Sequence, residues 1–299
     1  MEMGEQSKKA IMYNKHNHCL ICSSNNLTIL PNFQKDYLVQ CISCKFVFCN
    51  RIPTNVELLI HYKKYKRGNL LSPITLMRYN ELLDNFEQFR QTNNILDIGC
   101  GDGYFLDAAK NRGWNVYGTE FTDEAIEILD SKGIKSNQGK LETSNYHNEM
   151  FDVITSFEVL EHINNPNEEC NSIYKILRKK GLIYVTTPNF NSFSRYFLKH
   201  WNIIEYPEHL SYYTPRTINK LFKINGFFKS KIETTGIHIN RFRQSTGTIQ
   251  SDGTYGTMEE SLRSKTETKI IFKIFKKIAN KILDILKKGD SLKAWYIKH

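Results

Sequence analysis

The 299 residues carry 41 Lys and Arg against 31 Asp and Glu, a formal net charge of +10, and 40% of them are apolar, which suits one large globular domain with attachments. No apolar run approaches the roughly 20 residues that cross a bilayer. The opening "MEMGEQSKKAIMYNKHNH" has no apolar core of the kind an export signal needs, so a cytoplasmic protein, free or peripheral to a membrane, is expected.

The charge is uneven. Counting Lys, Arg, Asp and Glu gives +5 for residues 1–90, −6 for 91–190, +4 for 191–240 and +7 for 241–299. Basic flanks around an acidic centre suit an anionic partner: a nucleotide-linked sugar, a membrane surface or RNA. A solvated lysine-rich surface is the plainer alternative.

Near the N-terminus stand Cys19-Leu-Ile-Cys22 and Cys41-Ile-Ser-Cys44. In a chain without an export signal, two such pairs read as a metal site rather than as disulfides. Each CxxC knuckle aims two thiolates at one point, and four thiolates close a tetrahedral zinc site with no position left for catalysis. Cys19, Cys22, Cys41 and Cys44 are thus expected to hold a structural zinc in a ribbon over residues 1–50, with "NNLTILPNFQKDYLVQ" as a small hairpin. Cys49, Cys100 and Cys170 have no pattern and read as small core residues. His16 and His18, close to the first knuckle, read as bystanders.

Residues 51–91, which include "NVELLIHYKKYKRGNLLSPITLMRYNELLDNFEQF", have helical apolar spacing and form a linker of one or two helices. The rhythm then changes. "NILDIG" is a short strand, and "YFLDAAKNRG" a helix closed by Gly113. "WNVYGTE" is a strand, and "TDEAIEILDSKG" a helix from Thr122 to Gly133. A weak strand is expected near Ile134, then a strand in "FDVITSFEVL", a helix over "NEECNSIYKILRKKG" and a strand in "LIYVTTPN". "TPRTINKLFKINGF" is a helix with Pro215 in its first turn, and "FKSKIETTGIHI" a strand. Strands alternating with helices make a doubly wound, mostly parallel sheet whose ligand lies at the carboxyl ends of the strands.

One such end holds "ILDIGCGDGYF", residues 95–105, with three glycines in five positions. Glycine there permits a tight turn and a close approach of ligand to backbone. The string is not GxGxxG and no GK[ST] follows, so a phosphate-binding P-loop is excluded. Glu120 ends the next strand, where a carboxylate can accept hydrogen bonds from both hydroxyls of a ribose.

"ILDIGCGDG", "VYGTE", "FDVITSFEVLEHI" and "GLIYVTTPN", in this order and spacing, resemble class I S-adenosylmethionine-dependent methyltransferases over about residues 92–240. The resemblance implies a seven-stranded Rossmann-like sheet. It implies that Asp97, Gly99, Cys100, Gly101 and Gly103 line the methionine and ribose part of S-adenosylmethionine, with Ser156 at a neighbouring strand end. Glu120 would hold the ribose and Phe121 would flank the adenine. In "GKLE", Lys140 stands where many relatives carry an acid, which leaves the backbone of Leu141 to meet the adenine edge. In this fold the last two strands form an antiparallel hairpin, so "DSLKAWYIKH" (290–299) is the final strand and residues 241–289 an insertion.

Methyl transfer to a hydroxyl requires that the nucleophile be positioned and its proton removed. The candidates follow two strand ends: Glu158, Glu161 and His162 in "FEVLEH", and Glu208 and His209 in "YPEHLSYYTPRT". Glu158 to His162 read either as a helix start, capped by Glu161 with His162 packed, or as residues converging with His209. The same types at similar places occur in ubiquinone-biosynthesis O-methyltransferases and in small-RNA 2′-O-methyltransferases. There they resemble a divalent site, which implies magnesium or manganese on Glu158, Glu161, His162 and His209. A third reading makes His209 a lone general base. The loop from "TPNFNS" to "YPEHLSYYTPRT" also resembles bacterial methyltransferases found with polysaccharide biosynthesis, in which a zinc ribbon precedes the same domain. That implies an anionic small-molecule or glycan acceptor, a sugar hydroxyl on a nucleotide or lipid carrier. RNA ribose and quinone-type hydroxyls are the alternatives. Ser156-Phe157-Glu158-Val159 counts against base-modifying enzymes, which usually carry an Asp/Asn-Pro-Pro-aromatic string there.

"RFRQSTGTIQSDGTYGT" (241–257) reads as a mobile loop. "SLRSKTETKIIFKIFKKIANKILDILKKG" then gives a basic amphipathic helix, with Ile270, Ile271, Ile274, Phe275, Ile278, Ile282, Ile285 and Leu286 on one broad face. Such a helix either packs its apolar side on the domain or lies on an anionic membrane.

Overall fold

A computed structural model describes residues 14–62, 71–197, 203–237 and 270–299. Three short strands come first: β1 (Leu27–Ile29), β2 (Leu38–Cys41) and β3 (Val47–Cys49). Each pairs antiparallel with the next, so the hairpin expected between the cysteine knuckles is present. Two helices follow, α1 (Asn55–Tyr62) and α2 (Pro73–Phe86), the second with its proline in the first turn, where no backbone donor is lost.

Strands and helices then alternate: β4 (Asn94–Ile98), α3 (Tyr104–Asn111), β5 (Asn115–Glu120), α4 (Asp123–Ser131), β6 (Lys135–Gln138), β7 (Phe151–Phe157), α5 (Pro166–Ile176) and β8 (Leu177–Pro188). Helix α5 is shorter than "NEECNSIYKILRKKG" suggests. Leu177 leaves it to pair with Phe151 on β7, and the Arg178 guanidinium donates to buried Asp152 at 2.5 Å. A cation with a buried carboxylate partner is worth more in the strand than a further helical turn.

After α6 (Ser194–Phe197) come β9 (Ser211–Tyr212), α7 (Pro215–Ile224), β10 (Phe227–Thr235), α8 (Ile270–Leu286) and β11 (Ser291–Lys298). Thr214 and Thr217 cap α7 reciprocally, side chain to backbone in both directions. Residues 238–269, which include the loop expected at 241–257, lie outside the described residues.

The large sheet has the order β10-β11-β8-β7-β4-β5-β6. The five strands from β8 to β6 are parallel, and β11 runs antiparallel between β8 and β10. This is the mostly parallel seven-stranded, Rossmann-like arrangement. All the parallel strands deliver their carboxyl ends to one side.

The four-stranded sheet adds what the sequence does not suggest. Its order is β1-β2-β3-β9, so two residues from the loop after β8 extend the cysteine-bearing meander, with Val47 opposite Tyr212 and Phe48 opposite Ser211. Cys19, Ile21, Phe46 and Phe48 share one buried cluster with Leu96 and Ile154 of the large sheet and Tyr213, Ile218 and Leu221 near α7. Burying side chains of this size contributes roughly 1.5–3 kcal/mol each. The opposite face of the sheet is covered by α2 and α3, through Leu83, Phe86, Phe105 and Leu106.

Candidate functional site

The glycine turn leaves β4 at Gly99, and the backbone is left-handed at all three glycines, with φ of 66° at Gly99, 55° at Gly101 and 74° at Gly103. Two of them also make room for the protein itself. A Cβ on Gly99 would stand 2.5 Å from Cγ2 of Val159, and one on Gly103 would stand 2.5 Å from Cδ2 of Leu129. The turn is thus pressed against the segment that carries Glu161 and His162 on one side and against α4 on the other.

Glu120, at the end of β5, locks this turn. One carboxylate oxygen accepts the Gly101 N–H at 2.9 Å and the other accepts the Phe121 N–H at 2.9 Å. Cys100 donates its N–H to the Thr119 carbonyl at 3.0 Å, and its sulfur fills the space left by Gly118. Asp97 is buried and accepts the Thr155 hydroxyl at 2.8 Å. Burial pushes its carboxyl up to about 7, the Thr155 hydrogen bond opposes that, and the Glu120 charge adds to it. Ser156 is buried on β7 opposite Ile98, and Phe121 is exposed. Leu141 turns its side chain into the core, while Lys140 pairs with Glu142 at 3.2 Å. A tight backbone turn with carboxylates at two strand ends fits the amino acid and ribose parts of S-adenosylmethionine.

The second group lies beyond β7 and β8. Glu158 has a left-handed backbone, φ 53°, and its N–H is held by the Thr186 carbonyl at 3.0 Å. The next residues form one tight helical turn, Leu160–His162, rather than the start of a longer helix. Glu161, His162 and His209 each bring one ligand atom to within 4.8 Å of the others, and the imidazole centroids of His162 and His209 are 4.9 Å apart. Glu158 lies outside that ligand set, although its charge helps to raise the Glu161 carboxyl.

Three features suit this cluster to a divalent cation. Glu161 is 2% exposed, and its Oε2 has no hydrogen-bond partner among the described residues. Burial first, then Glu158, push its carboxyl well above the usual range, a cost that a bound cation would remove. Each imidazole is oriented through Nδ1 by a carbonyl, His162 by Glu208 at 3.1 Å and His209 by Ile203 at 2.7 Å, which fixes the ring beside the cluster. Burial first, then His209, push His162 down to about 4, so it is neutral near pH 7 and able to coordinate.

Much of what holds His209 comes from far away in sequence. Cys49 at the end of β3 donates its N–H to Leu210 at 2.8 Å, and Leu210 donates its own to Glu161 at 2.8 Å. The Tyr212 hydroxyl donates to the His209 carbonyl at 2.9 Å. His61 on α1 meets Glu208 Oε2 at 2.7 Å. Nothing in the sequence marks His61, because in "NVELLIHYKK" it looks like one more residue of an amphipathic helix. His16 is less of a bystander than expected: its ring meets Asn164 at 2.7 Å, just beyond the Glu161 turn.

The four knuckle cysteines gather as expected. Their sulfurs lie within 4.8 Å of one another, with Cys19 to Cys44 at 3.5 Å and Cys22 to Cys41 at 3.6 Å. A tetrahedral zinc with bonds of about 2.3 Å sets its sulfurs about 3.8 Å apart, so the cluster has the dimensions of a zinc site.

The methyltransferase domain family model matches residues 75–229, just over half of the chain. The chain belongs to that family. Among solved structures, a SAM dependent methyltransferase from Archaeoglobus fulgidus is similar to this methyltransferase-family chain with a TM-score of 0.53 at 19% identity, over 81% of this chain and 99% of that one. Geranyl diphosphate C-methyltransferase from Streptomyces coelicolor A3(2) gives 0.52 at 13%, over 75% and 79%. At these identities the likeness is one of fold. Among curated proteins, ubiquinone biosynthesis O-methyltransferase of Actinobacillus pleuropneumoniae is 29% identical over 106 residues, 32% of this chain and 45% of that one. Its namesake in Hydrogenovibrio crunogenus is 29% identical over 127 residues, 39% and 52%. The chain thus spans about half the length of the curated relatives it matches.

Proposed function

We propose that this protein transfers a methyl group from S-adenosylmethionine to a hydroxyl oxygen held at Glu161, His162 and His209. The observation that carries the reading is the unpartnered Oε2 of buried Glu161 beside two imidazoles whose Nδ1 atoms are already engaged. Asp97, Glu120 and the glycine turn would hold the donor. The Glu161 cluster, which follows the neighbouring strand ends, would orient the acceptor oxygen toward the methyl group and stabilise loss of its proton. A magnesium or manganese ion on Glu161, His162 and His209 would supply the charge that lowers the pKa of that hydroxyl. Zinc on the four cysteines would have the structural role.

For the acceptor we propose a sugar hydroxyl on a nucleotide or lipid carrier, on the resemblance in the loop that carries His209. A quinone-type phenol is the second reading, favoured by the names of the curated relatives. Labelled S-adenosylmethionine offered with separate nucleotide-sugar, RNA and phenolic pools decides between acceptors; label in RNA alone overturns both. His209→Ala should lower turnover by about 100-fold or more with donor binding unchanged. Activity lost to chelator and restored by magnesium or manganese identifies the metal role. Activity indifferent to chelator leaves His209 as a lone base.

A further inference from the structure

We propose that α8 is a membrane-surface anchor that lays an apolar stripe on an anionic lipid bilayer. A helix on a soluble protein normally buries its apolar stripe and shows its polar side to water. Helix α8 does the reverse. Polar groups tie it to the body: Asn280 accepts the Gly236 N–H at 2.9 Å, Asp284 accepts the Thr234 N–H at 2.8 Å, and the Leu283 carbonyl accepts the Thr234 hydroxyl at 3.0 Å. Lys287 donates to the Ile232 carbonyl at 2.9 Å. Leu283 is the one buried apolar side chain described on the helix. Meanwhile Ile274, Phe275, Ile278, Ile282, Ile285 and Leu286 are between 52% and 70% exposed. At 3.6 residues per turn they form one continuous stripe. An exposed apolar stripe of this extent marks an interaction surface.

Charge selects the occupant. Residues 270–286 contain four lysines and one aspartate, and exposed Lys277 and Lys281 fall along one flank of the stripe. Two copies meeting stripe to stripe would set these lysines against each other, whereas anionic headgroups attract them. Beyond the helix the surface continues with exposed Phe193 and Tyr196, where Lys288 lies 4.6 Å from the Tyr196 ring. Ser291, just past α8, pairs with Pro188 at the carboxyl end of β8, the end of the sheet that carries His209. An anchored molecule would therefore hold its candidate site near the lipid surface. No described helix is long and apolar enough to cross a membrane, so the contact is with the surface. The anchor does not depend on which acceptor is methylated.

Flotation of the full chain with phosphatidylcholine vesicles, with and without roughly a third phosphatidylglycerol, tests this. We expect binding to the anionic vesicles alone. It should weaken as salt rises from about 0.1 M to about 1 M and the screening length falls from about 10 Å to about 3 Å. Ile278→Glu/Ile282→Glu and, separately, Lys277→Glu/Lys281→Glu should each lower the bound fraction about tenfold or more. These side chains are exposed, so thermal melting should stay unchanged; if one variant fails to fold, the other still reads the surface. Three results would overturn the proposal: no binding to anionic vesicles, binding indifferent to both variants, or a dimer in solution that Ile278→Glu/Ile282→Glu makes monomeric while vesicles remain unbound.

Discussion

Around the glycine turn, Asp97, Gly99, Gly101 and Glu120 come from two neighbouring strands and the turn between them, and Glu120 grips Gly101 directly. Around His209 the parts come from everywhere. Glu161 and His162 follow β7, and His209 follows β8. Cys49 of β3 holds Leu210, and His61 of α1 holds Glu208. The first site is local, and the second is assembled by the fold. A local site should tolerate damage to distant elements, while an assembled one should report it. The cysteine-bearing sheet is therefore best understood as scaffolding for the loop that carries His209.

Dismantling the cysteine cluster in that sheet is the severest way to break the comparison. Structural zinc is worth on the order of 10 kcal/mol in zinc-finger peptides. Cys41→Ser/Cys44→Ser should lose one equivalent of zinc and lose hydrogen-exchange protection across β1, β2, β3 and β9. Turnover should vanish while calorimetric affinity for S-adenosylmethionine holds. If donor affinity falls with turnover, the two sites are not separable in this way.

The local site can be probed by pH. Asp97 is raised to about 7 in the folded chain from an unfolded value of 3.8. Between about pH 4 and about pH 7 the folded state thus holds a proton that the unfolded state has lost, and stability must fall as pH rises through that window. The full effect is bounded at about 4 kcal/mol. Asp97→Asn should reduce the fall in melting temperature across pH 4–7 and raise the melting temperature at the upper end, with the remaining slope left to Glu161 and Glu169, whose carboxyls burial also raises. An unchanged slope means that Asp97 is not the group responsible.

This contrast also explains what could be read from the sequence. The order of strands and helices, the knuckle cysteines and the glycine turn are local patterns, so periodicity and spacing reveal them. The pairing of β3 with β9 joins Val47 to Tyr212, and two residues of strand carry no periodicity. His61 has no motif, because its partner Glu208 is chosen by tertiary packing. The end of α5 is hidden for a similar reason: "LRKK" suits a helix, and only the buried Asp152 makes Arg178 a strand residue. Glycine chemistry is only half visible in the sequence. The pattern suggests room for a ligand, whereas Gly99 and Gly103 also make room for Val159 and Leu129.

Glu120→Ala sharpens the local side of the comparison. It removes a carboxylate that accepts two backbone N–H groups and that would accept the ribose hydroxyls. A lost hydrogen bond to a charged group costs about 1–3 kcal/mol, or roughly fivefold to 150-fold in donor affinity. The acceptor side should be untouched, so at saturating donor the turnover should return to the wild-type level. A turnover that stays low at saturation would place Glu120 in the chemistry rather than in donor binding.

The smallest change tests the seam between the two regions. Gly99→Ala adds one methyl group where the backbone has φ 66° and where Cγ2 of Val159 lies 2.5 Å from the new carbon. The left-handed conformation alone costs an alanine about 1–2 kcal/mol. The contact adds a push on Val159, the residue that leads into Leu160, Glu161 and His162. Two separable effects follow: weaker donor binding from the strained turn, and slower turnover at saturating donor from the displaced Glu161. Adding Val159→Ala relieves the contact and leaves the strain. The double variant should therefore regain turnover while its donor affinity and melting temperature stay low. If both properties recover together, strain in the turn is not what limits binding. If neither recovers, Val159 does not couple the glycine turn to Glu161, His162 and His209, and the two regions are independent even where they touch.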